Sequence, residues 1–151
     1  MSASHRDDER EIRSLVSRYC HAIYLRDDDL WAATWAEDGE WCVLGSTLRG
    51  RDAILAHYRK LVAGVRWVVQ VSHDGIVEVD GATARGQWLI VEWLQWENGT
   101  GGMNVGRYHD TYSRGSDGAW RFARRDLHVT YMGPPDLSGA ARPHPRKESE
   151  S

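Results

Sequence analysis

The sequence predicts an α+β domain in which a curved antiparallel sheet wraps against three N-terminal helices and encloses a conical pocket. Two observations carry this prediction. Apolar residues recur at three- and four-residue steps before Gly64, and at two-residue steps after it. The first spacing is typical of amphipathic helices and the second of half-buried strands. Short turns join the later segments, so hairpin pairing is the simplest topology for the sheet.

Three helices are expected in the first part of the chain. The apolar positions place them at residues 7–25, about 28–36 and 52–62, with a short strand at 41–44 before the third. Asp7 and Asp8 suit the positive end of the first helix. Asp28 or Asp29 can cap the second, because a carboxylate can accept the free N–H groups of a first turn.

Five strands are expected in the second part, at 66–73, 76–79, 83–97, 103–114 and 119–131. The turns between them contain "DG", "NGTGG" and "GSDG", which are typical of hairpins. Residues 1–132 therefore form one domain. Residues 133–151 are rich in Pro, Gly, Ser and charge, a composition that predicts a disordered C-terminal tail.

Composition excludes several classes of partner. The net charge is −3 and no basic stripe is present, so nucleic acid is not an expected partner. No apolar run approaches the length of a membrane span, and the charged N-terminus lacks the apolar core of a signal peptide. We therefore expect a cytoplasmic protein with two reduced cysteines. The neighbouring His–Asp pairs diverge on a strand, so no metal site is expected.

The aromatic composition is unusual, with eight tryptophans and one phenylalanine. Tryptophan combines a large apolar ring with an N–H group that needs a partner when it is buried. Core packing accounts for some of the eight. A cluster that lines a pocket would suit a flat hydrophobic ligand.

Longer segments resemble a known family. "SRYCHAIYLRDDDLWAATWAEDGEW" with "LRGRDAI", then "HDGIVEVDGATARGQW" and "YHDTYSRGSDGAWRFARRDL", are similar to SnoaL-like proteins of the nuclear transport factor 2-like superfamily. The resemblance covers roughly residues 8 to 132. It is nearest the branch that contains lindane dehydrochlorinase, bile-acid dehydratase and scytalone dehydratase. This implies proton transfer and loss of a leaving group without a cofactor, although fold alone does not fix function.

The resemblance also implies a catalytic arrangement. His73 matches the histidine that these enzymes share, and would act as general base. Tyr24 stands where the family has the aspartate that partners this histidine, and Asp27 matches a second acidic position. We expect Tyr24 to donate a hydrogen bond to the substrate and Asp110 to orient His73. The alternative for His73 is a hydrogen-bonded strand residue without chemistry.

Five further residues are candidates for substrate binding. Strand alternation places Tyr108 on the same face as Asp110. The resemblance places Tyr19 and Trp41 at pocket positions. Trp88 is similar in kind, and His128 would be a second acid–base group. For the aromatic residues core packing is the alternative, for Asp110 an exposed ion pair with an arginine, and for His128 an exposed position.

These observations predict a cofactor-free lyase of the dehydratase type, or an isomerase, acting on a hydrophobic polycyclic or aromatic molecule. A second hypothesis is a non-catalytic ligand-binding or assembly module that keeps the pocket. A third is a hydrolase whose water is activated by His73 or Asp110. Because sheets of this family commonly pair back to back, we also expect a homodimer formed through the sheet.

Overall fold

The computed structural model describes residues 3–143, with side chains from residue 5 onward. The helices are α1 (Ala3–Leu25), α2 (Asp28–Ala33) and α3 (Arg51–Val62). The strands are β1 (Trp35–Val43), β2 (Ser46–Arg49), β3 (Val65–Ser72), β4 (Ile76–Asp80), β5 (Thr83–Trp96), β6 (Gly101–Arg114) and β7 (Trp120–Gly133). The predicted α+β class is confirmed. No helix among residues 3–143 combines the length and apolar character needed to cross a bilayer.

One open, curved sheet contains all seven of these strands, in the order β2-β1-β7-β6-β5-β3, with β4 also paired to β5. The hairpins β5–β6 and β6–β7 are antiparallel, as the turn sequences predict. The parallel pairing of β1 with β7 was not predicted. It brings the region after α2 back beside the last strand, so the sheet curves around the helices.

The α2–β1 junction differs from the sequence prediction. Asp27, rather than Asp28 or Asp29, caps α2, since its carboxylate accepts the Leu30 N–H at 2.9 Å. The helix ends at Ala33 and not at Ala36. The physical reason lies in the sheet: the Phe122 N–H donates to the Thr34 carbonyl at 2.9 Å, and this bond draws the following residues into β1.

An aromatic core joins the helices to the concave face of the sheet. Trp31 and Trp35 are completely buried. Trp31 stacks on Tyr58 with 4.1 Å between the ring centroids, and it meets Trp41 edge-on at 5.4 Å. Tyr19 on α1 contacts Trp31 at 5.5 Å. Several tryptophans thus have the core role that composition alone left open.

The segment that follows β7 differs in part from the expected disordered tail. Gly133 belongs to β7, and residues 134–143 fold back against that strand. The Arg142 N–H donates to the Thr130 carbonyl at 2.8 Å, and the Tyr131 hydroxyl donates to the Pro134 carbonyl at 2.6 Å. Residues 144–151, the rest of the predicted tail, lie outside the described residues.

The turn before β4 depends on a glycine. A Cβ at Gly75 would lie 2.3 Å from a ring carbon of the buried Trp88. We expect Gly75→Ala to lower the free energy of unfolding by about 1–3 kcal/mol, because overpacking displaces the ring. Urea denaturation measures this change. The exposed neighbour Asp74 supplies the control Asp74→Ala, which should change stability by less than about 0.5 kcal/mol. Equal stabilities of the two variants would contradict this account.

Candidate functional site

A cavity of about 450 Å³ lies between the helices and the concave face of the sheet. Its size falls within the range of roughly 300–1,000 Å³ that is typical of small-molecule sites. The lining is mainly apolar, with contributions from α1, α3, β1, β3, β5, β6 and β7. The aromatic residues in it are Tyr19, Trp41, Tyr58, Trp96 and Tyr108. Such a lining suits a hydrophobic ligand.

Glu92 is the one charged residue among the described residues that line this cavity. Its Oε1 accepts a hydrogen bond from Asn104 Nδ2 at 2.7 Å, and its Oε2 accepts one from Gln70 Nε2 at 2.9 Å. Strand register brings the three together, because Gln70 on β3 and Asn104 on β6 both pair with Glu92 on β5. The carboxyl group is thus held by two neutral amides.

Burial in this apolar lining raises the pKa of Glu92, and the hydrogen bonds from Asn104 and Gln70 oppose the increase only in part. Its side chain still keeps some accessible surface. A carboxyl group with a raised pKa is a stronger base than an ordinary glutamate, and it can both take and give a proton. This group can therefore carry acid–base chemistry.

The tyrosines around Glu92 remain protonated at neutral pH. Burial raises the pKa of Tyr58 to about 12, and the charge of Glu92 contributes to the increase. Burial also raises the pKa of Tyr108, on which Glu92 acts in the same direction. These two groups, from α3 and β6, are hydrogen-bond donors rather than bases.

Three buried polar atoms of the lining have no hydrogen-bond partner among the described residues. They are Gln70 Oε1, Tyr58 Oη and Trp41 Nε1. Buried polar atoms are usually paired, and an unpaired one costs about 1–3 kcal/mol. The cavity therefore offers an unused acceptor beside Glu92 and unused donors on the β1 and α3 side.

Asp110 lies behind this cavity in a buried ion pair, not in the cavity itself. Its Oδ1 accepts from Arg125 Nε at 2.9 Å, and its Oδ2 accepts from the Tyr112 hydroxyl at 2.8 Å. The Arg125 guanidinium lies 3.8 Å from the Tyr108 ring centroid. Burial raises the pKa of Asp110, while Arg125 and the Tyr112 hydrogen bond oppose the increase. Both carboxylate oxygens are occupied, so the predicted contact with His73 is absent here.

His73 and Tyr24 also lie outside the cavity, and both are exposed. His73 follows Ser72, the last residue of β3, and its main-chain N–H donates to the Leu89 carbonyl at 2.8 Å while its side chain is exposed. Tyr24 is 63% exposed, because the preceding Ile23 occupies the buried face of α1. The predicted assembly of His73, Tyr24 and Asp110 in the pocket therefore differs from the structure.

Tyr19, Trp41 and Tyr108 line the cavity, at the positions that the sequence predicts for substrate binding. Trp88 does not line it. Its ring is buried behind the cavity, where Nε1 donates to the Tyr112 hydroxyl at 2.7 Å.

His128 lies on the opposite, convex face of the sheet. It is exposed, its ring lies 4.7 Å from that of His109, and its Nε2 lies 3.6 Å from Asp126 Oδ1. The irregularity in the β6–β7 register shifts the alternation after Phe122, so that Arg125 faces inward. The uniform alternation assumed for this strand is therefore wrong.

Glu92, Gln70 and Asn104 were not predicted from the sequence. A signal was present: alternation along β5 places Glu92 on the same face as Trp88 and Ile90, which are both buried. A charged residue on the buried face of a strand points to a special environment. Among the residues that the structure describes, no three His, Cys, Asp or Glu side chains converge to hold a metal ion.

Comparison with known proteins places the chain in a family. Residues 4–126 match the model of the SnoaL-like domain. A Mycobacterium tuberculosis protein of unknown function, Rv3472, is 31% identical, with 83% of this chain and 73% of that chain covered and a TM-score of 0.75. A search of curated proteins gives no match. The chain belongs to the SnoaL-like domain family.

More distant structures show the same fold. A Novosphingobium aromaticivorans protein provisionally assigned as a scytalone dehydratase is 22% identical, with 98% of this chain and 100% of that chain covered and a TM-score of 0.84. The hexachlorocyclohexane dehydrochlorinase LinA-type3 from Novosphingobium barchaimii is 21% identical, with 93% and 97% covered and a TM-score of 0.78. At these identities the likeness concerns the fold alone.

Proposed function

We propose that this protein is a cofactor-free lyase of the dehydratase type, or an isomerase, that acts on a hydrophobic small molecule in the cavity. The observation that carries the proposal is Glu92, the one carboxyl group among the described residues that line a mainly apolar and aromatic cavity. The structural neighbours described as a scytalone dehydratase and a dehydrochlorinase support the proposal of a lyase. The exposed positions of His73 and Tyr24 favour Glu92 as the proton-transferring group.

The proposed chemistry begins with Glu92 as a carboxylate. It accepts a proton from a carbon beside a carbonyl group, and the electron pair of that C–H bond moves toward the carbonyl oxygen. The protonated Glu92 then returns the proton. In a β,γ-unsaturated ketone, the resulting dienolate takes the proton at its γ carbon, which completes an isomerisation. In a β-hydroxy ketone, the enolate electrons re-form the carbonyl group and a Cα–Cβ double bond while the C–O bond breaks, and the proton leaves with the hydroxyl group as water.

The neighbouring residues have defined roles in this proposal. The amides of Gln70 and Asn104 hold the carboxyl group in one orientation. The unpartnered donors Tyr58 Oη and Trp41 Nε1 would bind a carbonyl oxygen as negative charge develops on it. The apolar walls exclude water, which strengthens each of these interactions.

Turnover of an aromatic β-hydroxy ketone tests the proposal, because dehydration produces a conjugated enone that absorbs in the ultraviolet. In deuterated water, the isomerase reaction would place deuterium on the product carbon. Labelled oxygen from water in the product would instead support a hydrolase. Binding without turnover across a panel of neutral hydrophobic hydroxy ketones would favour the non-catalytic binding module.

We further propose that two copies of the chain pair through the convex face of the sheet. Trp67, Leu89 and Trp93 are 46%, 58% and 37% exposed on that face. Leu89 lies opposite Arg107 in the β5–β6 ladder. We expect a dimer by light scattering, and a monomer for Leu89→Arg, since the substitution adds positive charge to an apolar contact. The control Ser116→Arg, in an exposed turn, should remain dimeric; a monomeric wild-type protein would refute the pairing.

A further inference from the structure

We propose that the cavity binds hydrophobic primary ammonium ions, whose charge pairs with Glu92. This inference rests on the same cavity as the proposed function, but not on turnover. It assigns a class of ligand, an aromatic or alicyclic amine in its charged form, that would compete with an uncharged substrate. Three independent features of the lining carry it.

The first feature is an uncompensated negative charge. Glu92 has hydrogen bonds from Gln70 and Asn104, but both donors are neutral amides. No Lys, Arg or His is found among the described residues that line the cavity. A buried charge is stabilised most when a partner of opposite sign enters the same site. An ammonium group supplies that partner, whereas a carboxylate ligand would meet repulsion.

The second feature is an unused hydrogen-bond acceptor beside the carboxyl group. Gln70 is only 7% exposed, and its Oε1 has no partner among the described residues although its Nε2 is bound to Glu92. A primary ammonium group carries three N–H donors. One donor can bind Glu92 while another binds Gln70 Oε1. An ether or a ketone has no donor for either atom.

The third feature is the aromatic lining. Trp41, Tyr58 and Trp96 contribute ring surface to the cavity. Aromatic faces attract cations, and aromatic cages are a known way to recognise organic ammonium ions. The rings at the back of the cavity already contact a cation, since the Arg125 guanidinium packs on Tyr19 and Tyr108 from behind. Of the remaining rings, Trp96 is 39% exposed and available to a ligand, whereas Trp41 and Tyr58 are largely packed against Trp31.

Calorimetric titration with three isosteric probes tests the proposal: naphthylmethylamine, naphthylmethanol and naphthoate. At neutral pH we expect the amine to bind about tenfold or more tightly than the alcohol, a difference of about 1.4 kcal/mol. Naphthoate should bind most weakly. Glu92→Gln should remove the preference for the amine over the alcohol. The control Glu78→Gln removes an equal charge from an exposed site on β4 and should preserve the preference.

A second measurement does not depend on the folding of the variant. In the wild-type protein, affinity for the amine should fall as Glu92 becomes protonated at acidic pH, whereas affinity for the alcohol should not. Tyr58 and Tyr108, which interact with Glu92, stay uncharged throughout this range. Asp110, whose pKa burial also raises, is paired with Arg125 behind the cavity and does not line it, so Glu92 is the titrating group that meets the ammonium ion.

Several outcomes would overturn this proposal. They are equal affinities for amine and alcohol, a preference for the amine that persists in Glu92→Gln, and failure of all three probes to bind. If the alcohol binds as tightly as the amine and hydroxy ketones are turned over, only the ammonium proposal fails. If the amine binds as expected and no panel compound is turned over, only the proposed enzymatic function fails.

Discussion

Asp110→Asn is expected to lower the free energy of unfolding by about 3–5 kcal/mol, the cost of leaving a buried charge without its partner. Arg125 has no exposed surface, and its Nε–H donates to Asp110. Burial disfavours the charged guanidinium, but Asp110 and the surrounding tyrosines together outweigh this effect and raise the pKa of Arg125. The substitution removes that compensating charge while keeping nearly the same shape. Urea denaturation at neutral pH measures the change.

A double-mutant cycle with Arg125→Met separates loss of the ion pair from loss of packing. The double variant has neither buried charge, so it should be more stable than Asp110→Asn alone. The exposed Asp117 provides a comparison, because Asp117→Asn breaks a surface ion pair with Arg121 and should cost far less than Asp110→Asn. Equal losses in the free energy of unfolding for Asp110→Asn and Asp117→Asn would contradict this account of the buried ion pair.

Glu92→Gln is expected to lower turnover of a hydroxy ketone substrate by about 10²–10⁴-fold, the usual contribution of general acid–base catalysis. Glutamine has a similar shape but cannot transfer a proton. Affinity for the uncharged substrate should change little, because the apolar walls provide most of the binding energy. Steady-state kinetics, together with calorimetric titration of the substrate, separates these effects.

His73→Ala provides the matched comparison, since sequence resemblance assigns the proton transfer to His73. We expect this variant to retain turnover within about twofold, because its side chain is exposed and outside the cavity. The opposite pattern, loss of turnover in His73→Ala and full turnover in Glu92→Gln, would restore the histidine mechanism. It would also require the turn at residues 73–75 to rearrange when substrate binds.

Much of the fold could be predicted from local periodicity. β5 occupies 83–96 against the predicted 83–97, and α3 begins one residue before its expected start. Hairpins and amphipathic helices are specified by neighbouring residues, so they can be recognised in one sequence. The parallel contact between β1 and β7 joins distant segments, and no local pattern reports it. The longer extent of β1 follows from that contact.

The candidate site was harder to predict, for two physical reasons. Tyr19, Trp41 and Tyr108 do line the cavity, where resemblance placed the first two and strand alternation the third. His128 was misplaced because a register irregularity changes which residues of β7 face the core.

Glu92 was missed for a second reason, because its environment is set by hydrogen-bond partners on other strands. Alternation puts this carboxylate on the apolar face of its strand, but its environment stays undefined until its amide partners are known. Those partners come from two other strands, β3 and β6. A site formed by side chains from three strands depends on the register between those strands, and local sequence patterns specify that register only weakly.

The most direct test of the central claim is a carbon NMR titration of the Glu92 carboxyl group, with and without naphthylmethanol. We predict a pKa above the ordinary glutamate value of about 4.3, since burial in the cavity disfavours the charged form. Added alcohol should shift the Glu92 resonance but not that of the exposed Glu78. An ordinary pKa for Glu92, with no response to the alcohol, would contradict its assignment as the functional group of this pocket.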